Sequence, residues 1–302
     1  MVVVKSFSVG HGDMFYIRHG SDNFTIIDCC LSEDNKEEIV EDIKLASEGK
    51  GIQRFISTHP DEDHIQGLTY LDEQITLRNF YCVANAATKD DFSESFERYC
   101  QLRDSPAAYH VYKGCKRKWM NQRDDERSGA GIQVLWPNRT NEHYQAALQD
   151  AADGIAFNNI SLVVRYSVQG GASFMWIGDL ETQFMEDIVD DINLEKTTVV
   201  FAPHHGRHSG KIPNSWLVKL DPQIIVIGEA PARHLNYYTG YKKITQNRAG
   251  DITMHCEGDK VHLYASEENY GTRFNDFDDE GQAMYDYYVG SITVETEYTL
   301  DG

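Results

Sequence analysis

Six consecutive residues constrain this chain more than any other feature: His59-Pro60-Asp61-Glu62-Asp63-His64 holds two imidazoles and three carboxylates. That density asks for a metal. His59, Asp61 and Asp63 alternate while Asp63 and His64 are adjacent, so no regular helix or strand could turn all four towards one point. A loop can. The apolar pair Phe55-Ile56 reads as a strand end, which makes Ser57 to Leu68 a loop leaving a sheet edge, where a rigid scaffold usually carries function. An acidic surface loop with incidental histidines is the plainer reading of the same residues.

The pattern around this loop predicts strands that end in polar stations. Val2 to Phe7 and Phe15 to Arg18 read as strands joined through the Gly-flanked turn Val9-Gly10-His11-Gly12-Asp13, and Phe24 to Asp28 follows. Asp28 is either a turn former or a side chain pointing into a site. Asn35 to Glu48 has helical spacing, with Asn35 and Glu38 placed as a capping box and Gly49 behind. The strand Gln53 to Ser57 then puts the opening loop at the carboxyl end of a strand, where α/β proteins tend to carry their sites. A helix is expected over 65–73 and a strand over 77–83. Residues 89–130 read either as an insertion over or beside the site or as a plain excursion of the chain.

The second half repeats the design. A strand over 131–136 and a helix over 140–152 come first, with His143 expected at the surface. A hairpin turning at Gly170-Gly171 ends in Gly178-Asp179. Asp179 is a second candidate ligand or, taken alone, the cap of a helix over 181–192. The strand 197–202 delivers Pro203-His204-His205-Gly206-Arg207-His208, and after a helix over 213–220 and a strand over 223–227 the loop 228–238 carries His234.

Composition narrows the function. With 302 residues, 41% of them hydrophobic, the chain can bury a large core. No apolar run approaches the roughly 18 residues of a membrane span, and Met1-Val2-Val3-Val4 leads straight into strand-like sequence, so a soluble, cytoplasmic protein without membrane association is expected. The six cysteines show no paired spacing and read as reduced. A net charge of −20 disfavours long nucleic acid, and the basic island Lys113, Lys116, Arg117 and Lys118 reads as a solvated face. The acidic, Tyr-rich stretch 266–302 is expected to pack on or trail from a domain of residues 1–265, and it offers a surface to a basic protein partner.

Taken in order, Asp28, His59 to His64, Gly178-Asp179 and His204-His205-Gly206 resemble the stations of the metallo-β-lactamase fold, an α/β four-layer αββα sandwich. The resemblance runs over about residues 1–265 and is greatest to the nuclease-type domain of the ComEC competence proteins, through Val9-Gly10-His11-Gly12-Asp13, Ile26-Ile27-Asp28, Thr58 to His64, Asn158 to Val163, Gly178 to Glu181 and Pro203 to Gly206. Two departures stand out: Asp61 replaces the second histidine of the common His-x-His-x-Asp-His motif, and Asn158-Asn159 stands where another histidine is usual.

The resemblance implies a first metal position of His59, Asp61 and a bridging Asp179, with Asn158 or Asn159 added. The second would use Asp63, His64, Asp179 and one of His204 and His205. One or two divalent ions are expected, zinc or manganese first and magnesium next, since hard carboxylates suit hard ions. The implied activity is a phosphodiesterase or nuclease acting through a metal-bridged hydroxide on a small nucleotide, a short oligonucleotide or a nucleic-acid end. Asp63 would orient the nucleophile, His234 protonate the leaving group, and Arg207, His208 and Asn159 contact the phosphate-bearing substrate, with Asp28 supporting the site. Hydrolysis of a β-lactam or thioester, or a non-catalytic partner-binding module of a multi-component defence or DNA-processing system, are the rival readings.

Overall fold

The computed structural model describes residues 1–90, 92–268, 270 and 286–295. The strands are β1 (Val2–Ser6), β2 (Phe15–Arg18), β3 (Asn23–Ile27), β4 (Cys29–Cys30), β5 (Ile52–Ile56), β6 (Phe80–Val83), β7 (Ala108–Val111) and β8 (Ile132–Trp136). They continue with β9 (Val163–Ser167), β10 (Ser173–Trp176), β11 (Val199–Phe201), β12 (Ile224–Ile227), β13 (Lys243–Thr245), β14 (Ile252–Glu257), β15 (Lys260–Ala265) and β16 (Tyr287–Thr293). One sheet runs β16-β15-β14-β1-β2-β3-β5-β6-β7 and the other β13-β12-β11-β10-β9-β8.

Strand direction places the site. β3, β5, β6 and β7 are parallel, and the antiparallel steps from β1 to β2 to β3 turn β1 the same way. In the second sheet β10 to β13 are parallel. The carboxyl ends of β1, β3 and β5 therefore share one edge, as do those of β10, β11 and β12. The two edges meet, because Ser8 Oγ and Gly10 N–H after β1 donate to Glu229 after β12, at 2.6 and 2.9 Å.

Apolar burial holds the sheets face to face. Phe15 on β2 reaches across to Phe201 on β11 and Trp176 on β10, ring centroids 4.9 and 6.0 Å apart. The outer faces are covered by helices: Ile39, Val40 and Ile43 of the helix Lys36–Ser47 are buried on one side. On the other, Trp216 of the helix Asn214–Leu220 is buried and donates Nε1–H to the Met185 carbonyl at 2.8 Å. Each fully buried side chain of this kind stabilises by about 1.5–3 kcal/mol, so the four-layer αββα arrangement rests on its core.

Local expectations shift where tertiary contacts win. Asn35 makes no cap bond to its helix; its Oδ1 accepts from Ser32 N–H at 2.8 Å instead. The helix expected over 65–73 is two, Glu62–Ile65 and Leu68–Ile75, separated at Gly67, whose φ of 77° interrupts helical geometry. Residues 89–130 are woven into the fold, through the helix Glu94–Arg103 and through β7 at the sheet edge. Their polar part lies away from the loop after β5. Trp119 O accepts from Arg54 at 3.1 Å, Gly129 O from Ser21 at 3.1 Å, and Arg127 pairs with Asp22 at 2.9 Å, all about the amino ends of β3 and β5. From the stretch 266–302, β16 pairs antiparallel with β15, while 269, 271–285 and 296–302 lie outside the described residues. Among the described residues, no helix is long and apolar enough to cross a membrane.

Candidate metal centre

Asp179 is the point on which the stations converge. It sits three residues beyond β10, buried, in a bend that depends on Gly178. Gly178 has φ +60°, and a Cβ there would meet Ser161 Cβ at 2.7 Å. That close approach lets Ser161 Oγ accept from Asp179 N–H at 3.0 Å, fixing the carboxylate. Around it stand His64 Nε2 at 3.1 Å from Oδ1, and His204 Nε2, His205 Nε2 and His59 Nε2 at 3.7, 3.7 and 4.0 Å from Oδ2. Asp63 Oδ2 is 3.3 Å from His205 Nε2.

All four imidazoles are held from behind through Nδ1. His64 Nδ1 faces Asp28 Oδ2 at 2.9 Å, and His205 Nδ1 faces Asp13 Oδ1 at 3.0 Å; a carboxylate accepts, so each Nδ1 carries a proton. Thr58 Oγ1 donates to Asp28 Oδ2 at 2.6 Å, which leaves it an acceptor for His59 Nδ1 at 3.1 Å. His204 Nδ1 has Ser209 Oγ at 2.9 Å. With Nδ1 engaged, Nε2 is the nitrogen presented to Asp179. Carboxylate-backed histidines of this kind are how proteins fix ligand tautomer and orientation at metals. The backbone carries strain to achieve it: Asp28, His204 and His205 all have φ between +53° and +57° without being glycine.

The electrostatics follow from burial and pairing. Burial opposes charge on His64, but the Asp179 and Asp28 carboxylates outweigh it and raise its pKa well above the ordinary value. His205 is likewise raised against burial by Asp13 and Asp179, to about 10. His59, with burial and the neighbouring His64 charge against it, falls to about 4. Burial lowers His204 as well. Burial pushes Asp179 up, but His64 and His205 hold it well below the usual carboxylate range. Asp63, where the His205 hydrogen bond and the His64 charge override burial, lies at about 2. Asp28 is raised by burial.

A divalent ion fits this donor set. His59 Nε2, His64 Nε2 and Asp179 Oδ1 are buried without a hydrogen-bond partner, and burying such groups unsatisfied is costly. Asp13, His64, Asp179 and His205 each offer a ligand atom within 4.8 Å of the others.

Other residues expected at the site are placed differently. Asp61 caps the helix Glu62–Ile65, its Oδ1 accepting from Glu62 N–H at 3.1 Å, and stands 3.5 Å from Lys89 Nζ. Both ends of the Asn159 amide are used on Glu181, at 2.9 and 3.1 Å, so it fixes the entry to the helix Thr182–Asp187. Arg207 is half-buried and His208 exposed beside the cluster. His234 stacks on Tyr237, which also meets the His208 ring. Its Nε2 accepts from Arg233 Nε at 3.0 Å, and burial and then Arg233 lower its pKa, so it is neutral at pH 7 and poorly suited to protonating a leaving group.

Asp13 and Lys89 are members of this neighbourhood that the sequence reading missed. Asp13 had a signal: it follows a strand in a Gly-flanked turn, as the other stations do. The turn packs so closely that a Cβ on Gly12 would lie 2.5 Å from the Asp63 carbonyl oxygen. Lys89 had none, since only the fold brings it to Asp61.

No family model matches the sequence, and no curated protein matches it. Among solved structures the chain is similar to a Thermotoga maritima protein described as a candidate Zn-dependent hydrolase of the metallo-β-lactamase superfamily, at 13% identity and a TM-score of 0.33, over 77% of this chain and 78% of that one.

Proposed function

We propose that the protein is a metal-dependent hydrolase of the metallo-β-lactamase type that cleaves phosphodiester bonds in a small nucleotide, a short oligonucleotide or a nucleic-acid end. The observation that carries this reading is the convergence of four Nδ1-anchored imidazoles and Asp63 on the buried Asp179. His64, His205 and Asp179 would hold a divalent ion together with a carboxylate of Asp13 or Asp63, and Asp28 fixes the His64 imidazole from behind. The chemistry such an ion supplies when bound is activation of a water and polarisation of a phosphoryl oxygen.

The remaining work falls to side chains. Asp63 is ionised and its side chain is 31% exposed, so it accepts a hydrogen bond from an attacking water and orients it. Arg207 and His208 lie at the open side, where a guanidinium offers paired donors to phosphate oxygens. The net charge of −20 favours a short substrate over a long polyanion. Purified protein with added Mn²⁺ or Zn²⁺ should turn over bis-p-nitrophenyl phosphate and at least one member of a nucleotide panel, and Asp63→Ala should abolish this while keeping the fold. Cleavage of nitrocefin or a thioester alone would refute the phosphodiester assignment.

A further inference from the structure

We infer that this centre takes one divalent ion, and that the ammonium group of Lys89 holds the carboxylate a second would need. The inference rests on the metal reading above and concerns how many ions the chain can hold.

Lys89 follows β6, the strand beside β5, which brings it to the loop carrying His59 to His64. Its Nζ lies 3.5 Å from Asp61 Oδ1 and 4.0 Å from Glu62 Oε2. The rings of Phe96 and Phe157 flank it, with Nζ 4.9 and 5.0 Å from their centroids. The side chain is only 14% exposed. Two carboxylates and two aromatic faces therefore hold a cation at one place.

Asp61 is the carboxylate that an ion shared with His59 and Asp179 would need. Its Oδ1 already accepts from Glu62 N–H and faces the ammonium. A dication on Asp61 would stand beside Lys89 Nζ in partly buried surroundings, where like charges repel strongly. Among the described residues, Asp13, His64, Asp179 and His205 offer ligand atoms within 4.8 Å of one another, and Asp61 is not in that group. One position has its ligands gathered, and the adjoining one has its carboxylate held by a resident cation. An ammonium there serves as a fixed point charge for a phosphate oxygen and does not exchange with solvent ions.

The test counts metal. Chelator-stripped protein is titrated with Zn²⁺ and with Mn²⁺ and the bound metal measured by elemental analysis after dialysis. Wild type should retain one equivalent, Lys89→Met two, and Lys89→Arg, which keeps the charge, one. Asp61→Asn, whose small change leaves the cap acceptor, should bind the single ion within about threefold of wild type, well short of the roughly 10–100-fold that even a supporting residue of a metal site costs. Two equivalents in wild type, one in folded Lys89→Met, or a tenfold loss in Asp61→Asn would each overturn the assignment to Lys89 while leaving the metal reading intact. No uptake by wild type would remove both.

Discussion

The histidines of this centre are shaped by residues that never face the ion position. Asp28 accepts from Thr58 N–H through Oδ1 and from Thr58 Oγ1 and His64 Nδ1 through Oδ2. Asp28→Asn tolerates the left-handed backbone but sets an amide N–H against one of these donors, so metal affinity should fall by about 10–100-fold with circular dichroism unchanged. Gly178→Ala should cost stability directly: its φ of +60° and the 2.7 Å approach to Ser161 leave no room for a methyl group, and urea unfolding should register a loss of about 2 kcal/mol or more. Much of this scale was legible in the sequence, because histidine and aspartate crowded after strands have few other uses. What was hidden is direction. Asp61 and Asp63 look equivalent in the loop, yet one caps a helix and meets Lys89 while the other meets His205.

At the scale of elements, the strand ends were readable from apolar runs that stop at Asp28, Ser57, Asp179 and His204, and the structure puts these ends along meeting edges. Helix ends were less readable, since a cap is a local hydrogen bond that neighbouring turns compete for. Asn35 shows this, spending its side chain on Ser32. Asn141 is the contrasting case: it caps the helix Glu142–Ala152 by accepting from Tyr144 N–H at 3.0 Å and also reaches Asp191. Asn141→Ala should lower stability by about 1–2 kcal/mol in urea titration, with zinc uptake by the folded protein unchanged. The position of the polar run 113–131 was not legible, because composition says that a segment is exposed without saying at which end of the sheets it lies.

For the molecule as a whole, the core joins both sheets, so groups far from the centre bear on its survival. His19 is buried near Arg54 and Lys50, and burial first and those charges next hold its pKa well below the ordinary value. The unfolded chain, with a pKa near about 6.5, therefore takes up the proton first as pH falls; stability is full above that pH and drops below it by up to about 1.4 kcal/mol per unit. Urea midpoints at pH 7.5 and 5.5 should show a smaller acid loss for His19→Gln than for wild type, and an equal loss would refute the assignment. The layered α/β architecture was legible because alternating strands and helices admit few arrangements, whereas the return of the chain through β14 to β16 into the first sheet was not, since pairing partners distant in sequence leave no local mark. If Asp179 organises a metal centre, zinc uptake by chelator-stripped protein depends on its carboxylate. Wild type should bind zinc and Asp179→Asn should bind at least about 100-fold more weakly with its fold intact, as expected for a lost ligand; equal binding by the two, or none by wild type, would contradict the account.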